Sequence, residues 1–436
     1  MRKIALLLCL AMLLGMAAGC ASEEAYVPTG HGLAGYEAPV EETKAAKPDL
    51  PEAKKNFTLA YYPEEGFNPY TCTSFNNRML FSLLYQGLFS VDRDYHPVPI
   101  LCKSYSVSED LRTHTFQLES ATFSDGTYLS AEDVVASLKM AQESAMFAGR
   151  FDNVSDIYAV GENAVRIDTY FPYENLPLLL DVPIVKTSEL EAQMPLGTGP
   201  YALVPTAGGL SLQMRNNWWC RAELAVNAMS IPLREATSPA QIRDSFEFDN
   251  LGISISDPGS SAYAEYRCDY ELWEMETGLF LYLGANMESK VFANDEVRAA
   301  LTYAIDRVRL LEECYHGFGA VATLPASPGS PFYDRGLAGK IRFDPEKFRQ
   351  AVKNNGMVDQ KVVLLVNKSD SVRLQTARLV QEMLNECGLI VEIQDNSTRY
   401  YKEKLMTDEW DLYLGQTRLS ANMDLTAFFA PYGALS

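Results

Sequence analysis

Two short polar segments stand where predicted buried strands end: Asn367-Lys368-Ser369 and Gln416-Thr417-Arg418. The segment from Lys361 to Asn367, rich in valine and leucine, predicts one strand, and the segment from Asp411 to Gly415 predicts another. In open α/β sheets, ligands bind beyond the carboxyl ends of the strands. The sequence therefore predicts a ligand-binding edge at these two segments.

The residue types needed for metal binding or nucleophilic catalysis are scattered along the chain. No Ser-His-Asp or Cys-His arrangement stands out, and no pair of histidines has metal-ligand spacing. The histidines are His31, His96, His114 and His316. We therefore expect neither a metal nor another cofactor, and we expect a protein that is not an enzyme.

Six cysteines remain when Cys9 and Cys20 in the N-terminal region are set aside. They are widely spaced and form no Cys-x-x-Cys motif, so a zinc cluster is not expected. Disulfides and buried free thiols both stay open. The six are Cys72, Cys102, Cys220, Cys268, Cys314 and Cys387.

The alternation of predicted strands and helices near the C-terminus indicates an α/β fold. Helices are predicted over residues 371–387 and 399–406, between strands at 361–367, 390–394 and 411–415. A β-α-β-α-β series with short connections implies parallel neighbouring strands covered by helices.

Helix-start signals recur earlier in the chain. Ser74 caps a predicted helix that runs to Leu84, and Ser130 and Asp133 have capping-box spacing at the start of a helix that runs to about Ala141. From Asn294 to Leu311, apolar residues at three- and four-residue spacing predict one long amphipathic helix.

The N-terminus has the layout of a secretory signal. Arg2 and Lys3 precede an apolar stretch, and the small residues Ala17-Ala18-Gly19 lead directly to Cys20. This ending resembles a bacterial lipobox, in which the cysteine is acylated and becomes the new N-terminus. The interpretation gives a signal peptide over residues 1–19 and lipid attachment at Cys20. An ordinary signal peptide with a nearby cysteine is the alternative.

Residues 20–55 then predict a flexible tether, because prolines, glycines and acidic residues alternate there without apolar periodicity. No later apolar stretch reaches about 18 residues, so the lipid is the only membrane anchor expected. The formal net charge of −20 argues against nucleic acid and anionic lipid as partners.

Several motifs, in this order, resemble the large solute-binding proteins of ABC transporters that take up peptides, nickel chelates and related solutes (family 5). They span roughly residues 57–425. The motifs are Phe67-Asn68-Pro69, Leu84-Tyr85-Gln86-Gly87-Leu88, Thr115-Phe116-Gln117-Leu118, Phe123-Ser124-Asp125-Gly126, Ala131-Glu132-Asp133-Val134, Gly197-Thr198-Gly199-Pro200-Tyr201, Asn216-Asn217-Trp218-Trp219, Val297-Arg298-Ala299-Ala300-Leu301-Thr302-Tyr303-Ala304-Ile305-Asp306-Arg307 and Asp344-Pro345-Glu346-Lys347.

The resemblance implies a type II periplasmic-binding-protein-like α/β fold with two large lobes, a small inserted lobe and a ligand cleft between the lobes. We expect a first lobe over residues 56–280, with the insert at about 90–190, and a second lobe over 281–436. The family usually continues beyond this point, so the C-terminal elements are expected to be truncated.

The function implied is that of the extracytoplasmic substrate-binding component of an ABC importer. It would capture a peptide, metal chelate or organic anion by lobe closure and deliver it to a permease and ATPase complex. The expected location is the outer face of the bacterial cell membrane, or the periplasmic side of an envelope membrane. A surface-anchored hydrolase and a signalling receptor on the same fold are the alternatives.

The resemblance also suggests ligand-binding residues. Thr417 and Ser420 stand where peptide binders of the family place a tryptophan and an aspartate, with Arg418 between them, so we do not expect the usual contact with a peptide's free amine. An arginine there favours a carboxylate or another anion, since its planar fork donates two hydrogen bonds. Pairing of Arg418 with Asp411 or Asp424 is the alternative.

The remaining candidates for ligand contact come from the first lobe. For each there is a structural alternative: a place in the core or at its rim for the aromatic residues, and a turn before Pro69 for Asn68. With Gln416, Thr417 and Arg418, the predicted set is completed by Trp218, Trp219, Tyr61 and Asn68.

Overall fold

A computed structural model of the chain describes residues 57–430, except residues 148, 221–227, 261 and 408. The predicted signal peptide, Cys20 and the predicted tether lie outside the described residues. Within them, no helix is both long and apolar enough to cross a membrane. All six cysteines discussed above are free thiols, and Cys72, Cys102, Cys314 and Cys387 are buried.

The strands of the described residues form three four-stranded sheets and one two-stranded sheet, in the orders β1-β10-β9-β8, β4-β5-β7-β6, β11-β14-β12-β13 and β2-β3. Their bounds are β1 Leu59–Tyr61, β2 Phe89–Val91, β3 Pro97–Pro99, β4 Cys102–Val107, β5 Thr113–Leu118, β6 Val154–Ala159, β7 Ala164–Thr169, β8 Tyr201–Thr206, β9 Gly209–Met214, β10 Ser230–Glu235, β11 Leu279–Ala285, β12 Lys361–Asn367, β13 Ile390–Asn396 and β14 Leu412–Arg418.

The helices follow the same chain order. They are α1 Phe75–Met79, α2 Phe81–Leu84, α3 Ala131–Glu143, α4 Pro239–Glu247, α5 Asp295–Ala304, α6 Arg307–Tyr315, α7 Arg335–Ala338, α8 Pro345–Asn354, α9 Ser371–Glu386, α10 Thr398–Leu405 and α11 Thr426–Phe429. Short 3-10 turns cover Pro63–Glu65, Leu176–Leu179 and Thr187–Glu189.

The elements of residues 279–429, here called the late body, are built on the predicted parallel strands. β12 pairs in parallel with β13 and with β14, and β11 joins β14 in the antiparallel direction. Strands β12 and β14 contribute Val362, Leu364, Leu412 and Leu414 to a buried core shared with α5, α8 and α9. The prediction of a helix-covered β-α-β-α-β unit is confirmed.

The elements of residues 59–247 are here called the early body. Those up to β10 share a second core, whereas α4 packs through Ile242 in a small separate cluster. Buried apolar side chains from the two four-stranded sheets of this region and from α2 and α3 form one continuous cluster. It extends from Leu59 to Leu233. β1 pairs in parallel with β10, whereas β4, β5, β7 and β6 pair in antiparallel order. The division into a first lobe and a smaller insert stays a prediction.

Two predicted helices are interrupted in the structure. The segment from Asn294 to Leu311 forms α5 and α6 rather than one long helix, because Ile305 is extended (φ −98°, ψ 112°) and Asp306 caps α6 by accepting from the Arg309 amide. The Arg307 guanidinium also binds the carbonyl oxygens of Thr302 and Ile305 at the break. The predicted helix from Ser74 to Leu84 is likewise split into α1 and α2 at Leu80.

The predicted helix starts are confirmed. Ser74 accepts a hydrogen bond from the Asn77 amide at the start of α1. At α3, the Asp133 amide donates to Ser130 Oγ (3.3 Å) and the Ser130 amide donates to Asp133 Oδ2 (3.0 Å), which completes a capping box.

Candidate ligand-binding cleft

The two predicted strand ends lie at one edge of the late-body sheet. Leu365 of β12 is opposite Tyr413 of β14 in a parallel pairing, so Asn367 and Gln416 emerge on the same side. Asn367 is held there by hydrogen bonds with Thr398 and with the Ser369 amide. The geometry expected of this edge is present.

Arg418 ends β14 opposite Leu279 and is solvent-exposed. Its guanidinium donates to the carbonyl oxygen of Thr277. Within the described part of the chain it forms no ion pair with Asp411, which accepts from Ser289 and from the Val363 amide, or with Asp424. The alternative of an internal ion pair is therefore wrong for both carboxylates.

The loop that follows Arg418 reaches the early body. Asn422 donates a hydrogen bond to the hydroxyl of Tyr173, a residue that packs against the early-body core. A second connection joins Tyr95 Oη of the early body to Glu276 Oε2 (3.1 Å), which also accepts from Ser327 Oγ (3.0 Å). The polar edge that carries Arg418 therefore faces the early body.

Arg150 is the first basic residue of the early body near this interface. Its guanidinium pairs with the carboxylate of Asp181 and lies over the ring of Phe147, 5.3 Å from the ring centroid. Asn153, three residues farther on, is hydrogen-bonded to the backbone of Phe171 (2.9 and 3.2 Å). Phe171 is two residues before Tyr173, so the Arg150 loop borders the contact made by Asn422.

Arg78 is the second basic residue, in the last turn of α1. Within the described residues its side chain makes no hydrogen bond and no ion pair. Burial lowers the pKa of Arg78, and the positive charge of Arg150 lowers it further, whereas the nearby Cys72 acts in the opposite direction.

The electrostatics link these two arginines to the late body. The side chain of Arg418 stays solvent-exposed, but the surrounding chain desolvates it enough to lower its pKa, and the charges of Arg78 and Arg150 add to this effect. Three guanidinium groups, two from the early body and one from the late body, therefore lie within electrostatic range of one another. Sequence reasoning found only Arg418, because no motif marks Arg78 or Arg150 and their proximity depends on how α1 and the Arg150 loop pack.

Two predicted ligand contacts of the early body lie in its interior. Tyr61 is 3% exposed and donates to Glu235 Oε1 (2.9 Å); burial, followed by this carboxylate, raises the pKa of Tyr61 to about 12. Asn68 is 4% exposed and donates to the carbonyl oxygens of Leu190 and Ala192 (2.7 and 2.8 Å). Both have the structural roles given above as alternatives.

The adjacent tryptophans support the Gly197–Tyr201 turn. Trp218 Nε1 donates to the carbonyl oxygen of Thr198 (2.9 Å), and Trp219 Nε1 donates to the same oxygen (3.2 Å) and to Gln86 Oε1 (3.0 Å). Both side chains are partly exposed, and Trp219 packs against the early-body core. The remaining predicted residues, Gln416 and Thr417, are partly exposed at the late-body edge beside Arg418.

No group of three or more His, Cys, Asp or Glu side chains within the described residues is arranged to hold a metal ion. His114 is buried in β5, where neither ring nitrogen has a hydrogen-bond partner. Its ring lies parallel to that of Phe116, with centroids 6.3 Å apart. The histidine is thus part of the packing of the early-body sheet.

Two α/β bodies that contact each other beside the carboxyl ends of parallel strands have the architecture of the type II periplasmic-binding-protein fold. The chain belongs to the bacterial extracellular solute-binding proteins, family 5: the model of the middle region of that family matches residues 96–434, more than half of the 436-residue chain.

Individual relatives are distant but cover most of the chain. The glutathione-binding protein GsiB of Escherichia coli strain K12 is 24% identical over 376 residues, which cover 80% of this chain and 69% of GsiB. The structure of the ABC transporter substrate-binding protein CtaP from Listeria monocytogenes has a TM-score of 0.69 at 18% identity, and covers 87% of this chain and 82% of CtaP.

A further structure with this fold is that of NikA from Brucella suis in complex with Fe(III)-EDTA. Its TM-score is 0.66 at 19% identity, and the match covers 87% of this chain and 83% of NikA.

Proposed function

We propose that this protein is the substrate-binding component of an ABC importer, which captures a small solute between the early and late bodies and presents it to a permease and ATPase complex. The observation that carries the proposal is the polar edge with Gln416, Thr417 and Arg418, which faces the early body across the contact between Asn422 and Tyr173. Family membership supports it.

The proposed mechanism is capture without bond chemistry. Solute enters from the exposed side of the Arg418 edge, and the bodies close on it by a hinge motion. Closure excludes water, which strengthens the few polar contacts that hold the solute. We expect the permease to recognise the closed form.

The solute classes considered are peptides, metal chelates and organic anions. GsiB, a relative of this chain, is named for glutathione, which favours a small peptide-like solute. The absence of tryptophan and aspartate at Thr417 and Ser420 argues against recognition of a free peptide amine through that loop, and Arg418 argues for an acidic group on the solute.

Lipid attachment at Cys20 is part of the proposal. Stable anchoring needs two lipid signals, and an acylated N-terminal cysteine of this kind carries more than one chain. A Cys20→Ser variant expressed in a bacterial host is expected to lose the lipid mass and to leave the membrane fraction. A wild-type protein that carries no lipid, or that fractionates like the variant, would contradict this part.

The binding function is tested by thermal unfolding of the purified full-length protein with a library of peptides, chelates, sugars and organic anions. We expect at least one class to raise the unfolding temperature and to bind with 1:1 stoichiometry by calorimetry. The same solutes are expected to be recovered chemically unchanged. Failure of every class to bind, or turnover of a bound solute, would refute the proposal.

A further inference from the structure

We infer, as a refinement that rests on the proposed solute-binding function, that the solute carries at least two carboxylate groups, which Arg78 of the early body and Arg418 of the late body bind with the support of Arg150. No motif in the chain singles out this cluster.

Arg78 and Arg150 lie on one surface of the early body. Arg150 lies over the ring of Phe147, and this ring packs edge-on against Tyr70 at a centroid distance of 6.3 Å. Ser144 Oγ donates to the Tyr70 carbonyl oxygen (2.5 Å), which ties the loop before Arg150 to the segment that leads into α1. Arg78 lies one turn inside that helix.

Arg418 of the late body faces the same surface. The loop after Arg418 binds Tyr173 through Asn422, and the neighbouring Phe171 is hydrogen-bonded to Asn153, close to Arg150 in the chain. The mutual electrostatic effects of the three arginines agree with this geometry. The cluster therefore spans the boundary between the two bodies.

The three arginines differ in whether a carboxylate balances their charge. Arg150 is neutralised by Asp181. Arg418 donates only to a carbonyl oxygen, and Arg78 has no polar partner among the described residues. The carboxylates near the cluster include Asp424, beside Tyr173, Asp152, two residues after Arg150, and Glu65, which accepts from Thr73 and from the Ser74 amide. Two guanidinium groups, one from each body, thus have no anionic partner within residues 57–430 as the structure describes them.

Carboxylates are the chemical groups that best match two unpaired guanidinium groups. A guanidinium presents N–H donors in a planar fork that matches a carboxylate, and the resulting charge-assisted bonds are about twice as strong as neutral ones. Like charges held together without counter-ions repel each other, so a bound anion lowers the electrostatic repulsion between the two arginines. A solute with two carboxylates can neutralise Arg78 and Arg418 together and thereby join the two bodies. The arginine cluster is locally positive although the formal net charge of the chain is −20.

The test uses calorimetric titration of the full-length protein with four probes: citrate, reduced glutathione, glutathione with both carboxyl groups esterified, and trialanine. We expect citrate or reduced glutathione to bind, and the esterified form to bind at least about tenfold more weakly, a loss of about 1.4 kcal/mol. Arg78→Gln and Arg418→Gln are each expected to weaken the binding by about tenfold or more. Arg349→Gln is the matched control, because Arg349 pairs with Glu346 on the exposed face of α8 and should have no effect.

Circular dichroism checks that the variants fold. The salt dependence of binding by the wild-type protein is a second test that needs no variant. Affinity for the polycarboxylate should fall several-fold as the salt concentration rises from about 0.05 to about 0.5 M, since salt screens partly exposed charges. Binding of trialanine or the ester with no loss in Arg78→Gln and Arg418→Gln would overturn the inference but leave the proposed function standing. Binding by no probe and by no member of the solute library would overturn both.

Discussion

His114 gives the most quantitative prediction, because its ring is buried with two unsatisfied nitrogens. The residue is 1% exposed in β5, and among the described residues neither Nδ1 nor Nε2 has a partner in good hydrogen-bond geometry; the backbone of Leu111 and Tyr173 offers only weak, poorly aligned contacts. Burial lowers the pKa of His114; the nearby carbonyl groups of Leu111 and Tyr173 and the charge of Asp168 only partly oppose this effect. Folding therefore favours the neutral ring.

The sign of the pH effect follows from this shift. The folded-state pKa lies below the unfolded value of about 6.5, so the unfolded chain binds the proton more readily. The neutral ring contributes its full stability above about pH 6.5. This contribution is lost as the pH falls, at up to about 1.4 kcal/mol per pH unit, until the folded-state pKa is reached.

Replacement of His114 by phenylalanine tests both the burial and the titration. The ring would still stack on Phe116, and the cost of burying unsatisfied polar atoms, about 1–3 kcal/mol, would be removed. We expect His114→Phe to have a larger free energy of unfolding than the wild type at pH 7.5, and a still larger advantage at pH 5.5. Tyr128→Phe, at a position that is 76% exposed, is the control.

The assay is denaturant unfolding followed by circular dichroism at several pH values between about 5 and 8. The difference between variant and wild type should grow as the pH falls below about 6.5. A variant that is less stable than the wild type at every pH, or a difference that does not change with pH, would refute the reasoning.

Three other changes follow from the packing and the contacts. Asp133→Ala should lower the free energy of unfolding by about 1–3 kcal/mol in chemical denaturation, because Asp133 also accepts from Thr187 at 2.8 and 2.9 Å; Glu132→Ala in the same turn should have little effect. Gly199→Ala should cost about 1–3 kcal/mol or more, since a Cβ there would lie 2.5 Å from the Leu83 carbonyl oxygen, whereas Gly208→Ala meets open space and should leave the unfolding temperature unchanged. Tyr173→Phe should weaken solute binding several-fold, by about 0.5–1.5 kcal/mol, in calorimetry, whereas the exposed Tyr170→Phe should not.

Local sequence signals predicted the late-body sheet well. The strand Lys361–Asn367 has the predicted bounds, because a run of valine and leucine closed by polar residues leaves little freedom in its placement. The capping box at Ser130 and Asp133 was also recognisable, since its residues are three positions apart and need no tertiary partner.

The failures came where a local feature competed with periodicity. The apolar stripe from Asn294 to Leu311 continues through Ile305, but Asp306 offers a better helix cap and the Arg307 side chain binds the freed carbonyl groups. A periodic pattern records which faces are apolar, and it does not record where the backbone breaks.

The candidate site was only partly accessible from the sequence. Arg418 could be placed at a strand end, because strand ends follow from the β-α-β order. Arg78 and Arg150 are 72 positions apart in the chain and reach Arg418 only through the packing of α1, Phe147 and Tyr173. Tyr61 illustrates the reverse case, because an aromatic residue at a strand end is as well suited to the core as to a cleft.

The central claim, that the two bodies capture an acidic solute through Arg78 and Arg418, is tested most directly by mass spectrometry of small molecules released from the purified protein. The account predicts that the wild type and Arg349→Gln release the same compound with at least two carboxylate groups, and that an Arg78→Gln, Arg418→Gln double variant releases none of it. Release of a neutral or cationic solute from the wild type, or of the same compound from the double variant, would contradict the account.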